Sequence, residues 1–137
     1  MDKIVNYRDL AEKEKDNCLA GLRQTSFCAA DRDTETLKKE MEKSVQGRLP
    51  QFVFVLRDGK VIGYLFLIAE KENNSRVFPW WETDNSDELP PETDLRLLAY
   101  GIQLCREAEC RKLEKRLQFQ AENHRNGIGR RPAESSL

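Results

Sequence analysis

Apolar positions recur along this chain with two different periods, and the switches between them divide it into elements. "KIVNYRDL" opens with Ile4 and Val5 and reads as a short first strand. Asp9 then reads as a helix N-cap with Glu12, three residues on, as its capping partner. Leu10, Cys18 and Leu22 follow at multiples of four with Lys and Glu between them, which predicts an amphipathic helix over 10–24. "TSFCAADRD" is a loop, and Asp33 or Thr34 caps a second helix. Leu37, Met41 and Val45 form the buried stripe of that helix, Gly47 suits its C′ position, and Pro50 bars its continuation.

From Gln51 the period changes to two. "QFVFVLRDGKVIGYLFLIAEK" is a pair of β-rich runs around Asp58-Gly59, a dipeptide that tolerates positive φ at both positions of a type I′ hairpin turn. Simple alternation puts Val61, Leu65 and Leu67 on one face of the second run. It puts Ile62, Tyr64, Phe66 and Ile68 on the other. A strand apolar on both faces belongs at the centre of a sheet covered by helices. Gly63 within it marks a bulge or a close approach by another element. "KENNSR" is a polar turn. "VFPWWETDN" is a further strand, held to an edge or a bulge because Pro79 removes a ladder donor.

"SDELPPE" is a loop leading into a helix over about 92–109, with Pro91 in its first turn. Leu97, Leu98, Gly101, Ile102, Leu104, Cys105 and Ala108 make its broad apolar face. Gly101 there costs up to about 1 kcal/mol against Ala, and closer packing on a sheet is the return. In "RKLEKRLQF" Leu113, Lys115, Leu117 and Phe119 alternate, as in a last strand, although a helical extension fits as well. After Gln120 no period remains. The order is β-α-α-β-β-β-α-β over residues 1–120, followed by a polar basic tail over 121–137.

Composition narrows the functions available. A chain of 137 residues suits one domain with one core. Its net charge of −1 supplies no global field for nucleic acid or an anionic membrane. The longest apolar run, Val61 to Ala69, is too short to span a bilayer, and "MDKIVNYRDL" lacks the apolar core of a signal peptide; the expectation is a cytoplasmic protein. Cys18, Cys28, Cys105 and Cys110 include no C-x-x-C pair, and His124 is the sole histidine, so no metal site is expected. The cysteines read as small apolar residues. Cys105 and Cys110, five apart on one helix, are expected on different faces.

The order of elements, with "FVLRDGKVIGYLFLIAE" at its centre, resembles the GNAT superfamily of N-acyltransferases. The likeness is best over residues 52–70 and extends to about residue 119. It implies an α/β (α+β) fold with a mixed, mostly antiparallel central sheet flanked by helices; the family's fourth helix, after the last strand, is not expected in this chain. It implies acetyl-CoA or another acyl-CoA as co-substrate, lying between splayed fourth and fifth strands. Its pantetheine arm would run beside Trp80 and Trp81, and its pyrophosphate would lie at the start of the third helix near Thr93 and Arg96. Glu82 and Asp84 would accept the proton of an amine, borne by a small molecule or a protein, that attacks the thioester. The competing reading of Glu82 and Asp84 is a pair of surface carboxylates at a strand end.

At the family's phosphate loop, Q/R-x-x-G-x-G/A, this chain has "SDELPPETDLR". That stretch has no glycine, two prolines without N–H donors, and Asp87, Glu88, Glu92 and Asp94 against one cation, Arg96. His124-x-x-Gly127-x-Gly129 in the tail has the loop's spacing, but no helix of useful length fits after it. No tyrosine follows Tyr100 to act as the usual acid. The alternative is therefore a GNAT-shaped interaction or regulatory module without catalysis. A separate, third idea is that an exposed strand edge is completed in a homodimer.

Overall fold

The fold was analysed in a computed structural model that describes residues 2–22, 34–71, 77–84 and 89–125. Its organising piece is the hairpin of β2 (Gln51–Arg57) and β3 (Lys60–Lys71). Asp58 and Gly59 both take positive φ, 52° and 81°, as a type I′ turn requires. β1 (Asp2–Asn6) adds antiparallel to β2, and β4 (Val77–Asp84) adds antiparallel to β3. The sheet order is β1-β2-β3-β4. β4 is an edge strand, as Pro79 required, and no strand pairs with its outer side among the described residues.

Within the hairpin Val55 pairs with Gly63 but Leu56 pairs with Val61, so Ile62 is an extra residue and β3 is bulged beside Gly63. The bulge inverts the face assignment of the two residues before it. Val61 packs with Tyr64 and Phe66, and Ile62 packs with Leu65 and Leu67, the reverse of simple alternation.

Helices cover both faces. On one side, α1 (Glu12–Leu22) and α2 (Thr34–Glu42) bring Cys18, Leu19 and Met41 onto Val5, Phe52, Phe54, Val61 and Phe66. The Phe66 ring lies 5.1 Å from Phe52, 5.5 Å from Phe54 and 4.5 Å from Tyr64, all within the range of favourable aromatic pairs. On the other side, α3 (Pro91–Glu107) and α4 (Arg111–Arg125) bring Leu97, Leu98, Leu104, Leu113 and Leu117 onto Val53, Val55, Leu65 and Leu67. Gly101 is the point of closest approach. A Cβ there would lie 2.6 Å from Leu65 Cδ2 and 3.3 Å from Leu117 Cδ1, so the glycine is what lets α3 close on β3 and α4 together.

Several expectations change. "RKLEKRLQF" is not a fifth strand but the first part of α4, and a fourth helix is therefore present. Leu113, Leu117 and Ala121 recur every four residues and are buried, while Lys115 and Phe119, the alternate members of the strand-like pattern, face outward. Each fully buried leucine contributes about 1.5–3 kcal/mol, so burial of that stripe outweighs the alternation. The helix also continues past Gln120 to Arg125. Asp9 does not cap α1: it closes a 3-10 turn, Tyr7–Asp9, that Asn6 caps through its side chain. α2 ends at Glu42, so Val45 lies beyond it and is exposed, and Gly47, at φ 81°, serves the following turn. The "TSFCAADRD" loop lies outside the described residues.

α3 ends in a Schellman motif. Glu109 N–H donates to the Arg106 carbonyl at 3.1 Å and Cys110 N–H to the Cys105 carbonyl at 2.9 Å, around Glu109 at φ 54°. Cys110 is thus in a turn, not on the helix, and packs against the same core as Cys105. Glycine is the usual residue at such a C′ position, and a side chain there costs about 1 kcal/mol or more. Glu109→Gly is expected to raise the free energy of unfolding in urea by about 1 kcal/mol. An unchanged or lowered midpoint would mean that the Glu109 side chain contributes contacts worth as much as the strain.

Candidate functional site

Two regions carry polar chemistry near the sheet: the end of β4 with the start of α3, and the elbow between α3 and α4. In the first, the register sets Trp80 opposite Ile68, Trp81 opposite Leu67, Glu82 opposite Phe66 and Asp84 opposite Tyr64. Between Glu82 and Asp84, Thr83 donates its hydroxyl to the Tyr64 carbonyl at 2.6 Å and stitches the two strands. The two proposed proton acceptors are therefore two residues apart on one edge strand. The residues opposite them, Phe66 and Tyr64, belong to the α1/α2 face of the sheet.

Thr93 and Arg96 stand in the first turns of α3 and do not come together. Arg96 is exposed. Thr93 is buried and its hydroxyl donates to Asp2 Oδ2 at 3.0 Å. That carboxylate is already held by Arg57, whose Nε and Nη2 reach its two oxygens at 2.8 Å and 3.1 Å. Asp2 and Arg57 are cross-strand partners at the ends of β1 and β2, and the Asp2 side chain is only 8% exposed. The paired guanidinium lowers the Asp2 carboxyl below its ordinary range; burial opposes this, and the Thr93 hydroxyl adds to the lowering. The first turn of α3 itself supplies little to an anion. Its cap, Pro90, makes no side-chain hydrogen bond, Pro91 has no N–H, and Glu92 and Asp94 are both acidic.

The elbow is different in character. A groove of about 520 Å³ is lined by Arg106, Glu109, Arg111, Glu114, Lys115 and Gln118. Arg106 Nε and Gln118 Nε2 both donate to Glu114 Oε2, at 2.9 Å and 3.2 Å. Arg111 and Lys115 are exposed, and neither forms an ion pair among the described residues.

Other polar groups in the interior are structural. Gln51 donates to the carbonyls of Val45 and Arg48, at 2.6 Å each, and accepts from Asn6 at 3.0 Å and Arg8 at 2.9 Å. Asn6 also donates to the Tyr100 hydroxyl at 3.2 Å, so one buried amide pair ties β1, β2, α3 and the turn after α2. Tyr7 is fully buried and donates to Glu42 at 3.2 Å; burial, then the Glu42 charge, raises its phenol. Burial pushes the Cys18 thiol up to about 11 and the Cys105 thiol up to about 12, so neither offers a thiolate nucleophile near neutrality. No group of side chains placed to hold a metal ion, and no helix long and apolar enough to cross a membrane, occurs among the described residues. Asp87, Glu88, His124's side chain and the Gly127–Gly129 spacing lie outside them.

The family resemblance draws attention to Thr93 but not to its partners. Asp2 and Arg57 are 55 residues apart, and only the β1–β2 register joins them. Gln51 and Asn6 are likewise hidden inside apolar runs. No family model matches the chain, and no curated protein or solved structure matches it.

The Asp2 cluster makes a signed prediction. Because its carboxyl is lowered in the folded protein, it stabilises the fold at pH values above the unfolded value of about 3.9, and the contribution is lost as pH falls through the lower, folded value. The stability gap between the natural chain and Asp2→Asn is expected to be constant above about pH 5 and to shrink below about pH 4. A gap independent of pH down to acid unfolding would show that Asp2 is not held as an ion.

Proposed function

We propose that this chain is a binding module without acyl-transfer chemistry, built on the front part of a GNAT-like fold. One observation carries the reading: the first turn of α3, where an acyl-CoA pyrophosphate would lie in such a fold, is lined by carboxylates and its Thr93 hydroxyl is committed to Asp2. An incoming pyrophosphate there meets the exposed Glu92, with buried Asp94 and the Arg57-paired Asp2 behind it, and two prolines where donors are needed. The succession of α3 by α4 supports the same reading, because a helix on the sheet face does not make the cleft between splayed strands that the co-substrate occupies.

A second reading, acyl-CoA-dependent N-acyl transfer with Glu82 and Asp84 as proton acceptors, draws support from the first seven elements, which run β-α-α-β-β-β-α. A thermal melt with acetyl-CoA separates the two. A ligand at a hundredfold excess over its dissociation constant adds about 2.7 kcal/mol to the folded state, which raises the midpoint by several degrees. The binding-module reading predicts no shift with acetyl-CoA or longer acyl-CoAs at about 1 mM, a hundredfold excess for any site of about 10 μM. A reproducible rise would overturn it and establish the transferase reading as the one to pursue, with Glu82→Gln and Asp84→Asn as the next variants.

A further inference from the structure

The outward face of α4 is the most distinctive surface of the molecule. Leu113, Leu117 and Ala121 are buried on its inner side. Phe119 stands on the opposite side and is 66% exposed. Arg116, Lys115 and Lys112 lie three, four and seven residues before it, so helical spacing gathers all three cations around the ring. At the N-terminal end of this face the elbow groove adds Arg111 and Arg106. The charge is local: residues 111–137 carry seven lysines and arginines against three carboxylates, whereas the chain as a whole is at −1. The rest of the chain is therefore net acidic.

We propose that this face, from the elbow groove to Phe119, docks a short acidic segment of a partner protein that carries an apolar side chain. The proposal rests on the reading of the chain as a binding module. Charge complementarity selects an acidic occupant, and the exposed ring selects one with an apolar group to set against it, since a buried aromatic anchor ringed by polar contacts is the usual energetic centre of an interface. The occupant is short: Arg111 to Phe119 spans about 12 Å of helix, which an extended segment of roughly 4 residues covers. A short acidic segment on this face meets Arg111, Lys112, Lys115 and Arg116, which outnumber the carboxylates Glu109, Glu114 and Glu122 beside them. Phe119 then lies against its apolar side chain, and Arg111 and Lys115, which form no ion pair among the described residues, receive its carboxylates.

The test uses the full chain and a fluorescein-labelled synthetic peptide about 8 residues long, with a Leu-Phe pair flanked by glutamates. Binding is read by anisotropy and mapped on the unmutated protein by amide chemical-shift changes. The expected result is saturable binding that weakens as salt rises, with shifts clustered on Arg111–Phe119. Phe119→Ser and the double variant Lys115→Glu/Arg116→Glu each weaken it about tenfold or more, while their melts stay close to that of the natural chain. A peptide with lysines for glutamates does not bind. The proposal is overturned by no saturation at about 1 mM peptide, a concentration that detects affinities as weak as about −4 kcal/mol. It is also overturned by shifts elsewhere, or by tighter binding of a DNA oligonucleotide, phosphatidylserine vesicles or a second copy of the chain. Failure here leaves the acyl-CoA result untouched, so the two readings fall separately.

Discussion

β3 is apolar on both of its faces, and most of the architecture follows from the need to cover them. Tyr64 and Phe66 point one way and Leu65 and Leu67 the other, and all four are essentially excluded from solvent. A single helical layer would leave half of that surface in water, at about 25 cal/mol for each Å² of apolar area. α1 and α2 therefore close one side, and α3 and α4 the other. The bulge at Ile62 serves the same end. It sends Ile62 to the α3/α4 side and Val61 to the α1/α2 side, so the strand contributes to both cores up to its first turn.

α4 decides what the rest of the sheet can do. By packing Leu113, Leu117 and Ala121 on the same cluster as α3, it completes the second core with a helix where a further strand would have widened the sheet. The Schellman turn at Glu109 makes this geometry, reversing the chain within three residues after α3 and leaving a cationic groove on the outside of the bend. Most of the polar groups that remain inside are paired for structure, Ser44 Oγ being buried without a partner among the described residues. The Asn6–Gln51 amides fix one end of the sheet, and Asp2, Arg57 and Thr93 fix the other to the start of α3. Exposed charges of α1 and α2 are paired with one another, as in Lys38 with Glu12 and Asp16, whereas Arg111 and Lys115 on α4 form no ion pair among the described residues.

The local elements were readable wherever a short-range signal determined them. Asp58-Gly59 announced its turn, the double-faced β3 announced its central place, Pro79 an edge or a bulge, and Gly101 close packing on the sheet. The misread stretch, Arg111–Phe119, contains both periods at once: Leu113 and Leu117 satisfy a spacing of two or of four, and only the exposure of Lys115 and Phe119 separates them. The face inversion at Val61 and Ile62 was hidden because a bulge changes pairing, not composition. The site was less legible than the fold. Thr93 stood out on the helix, but its meaning depends on Asp2 and Arg57, which only sheet register brings near. The exposed Phe119 was hidden for the same reason as α4 itself, since an aromatic in a presumed strand is read as core.

The central claim is that residues 111–125 form a helix that seals the sheet, and not a strand that extends it. Backbone chemical shifts of the full chain in solution test this most directly, read together with nuclear Overhauser contacts between Leu117 and Gly101 or Leu65. The account predicts downfield Cα shifts and sequential amide–amide contacts from Arg111 to Arg125, with Leu117 close to both Gly101 and Leu65. Extended-strand shifts over Arg111–Phe119, with cross-strand contacts to β4, would contradict it and restore the five-stranded sheet that an acyl-CoA cleft requires.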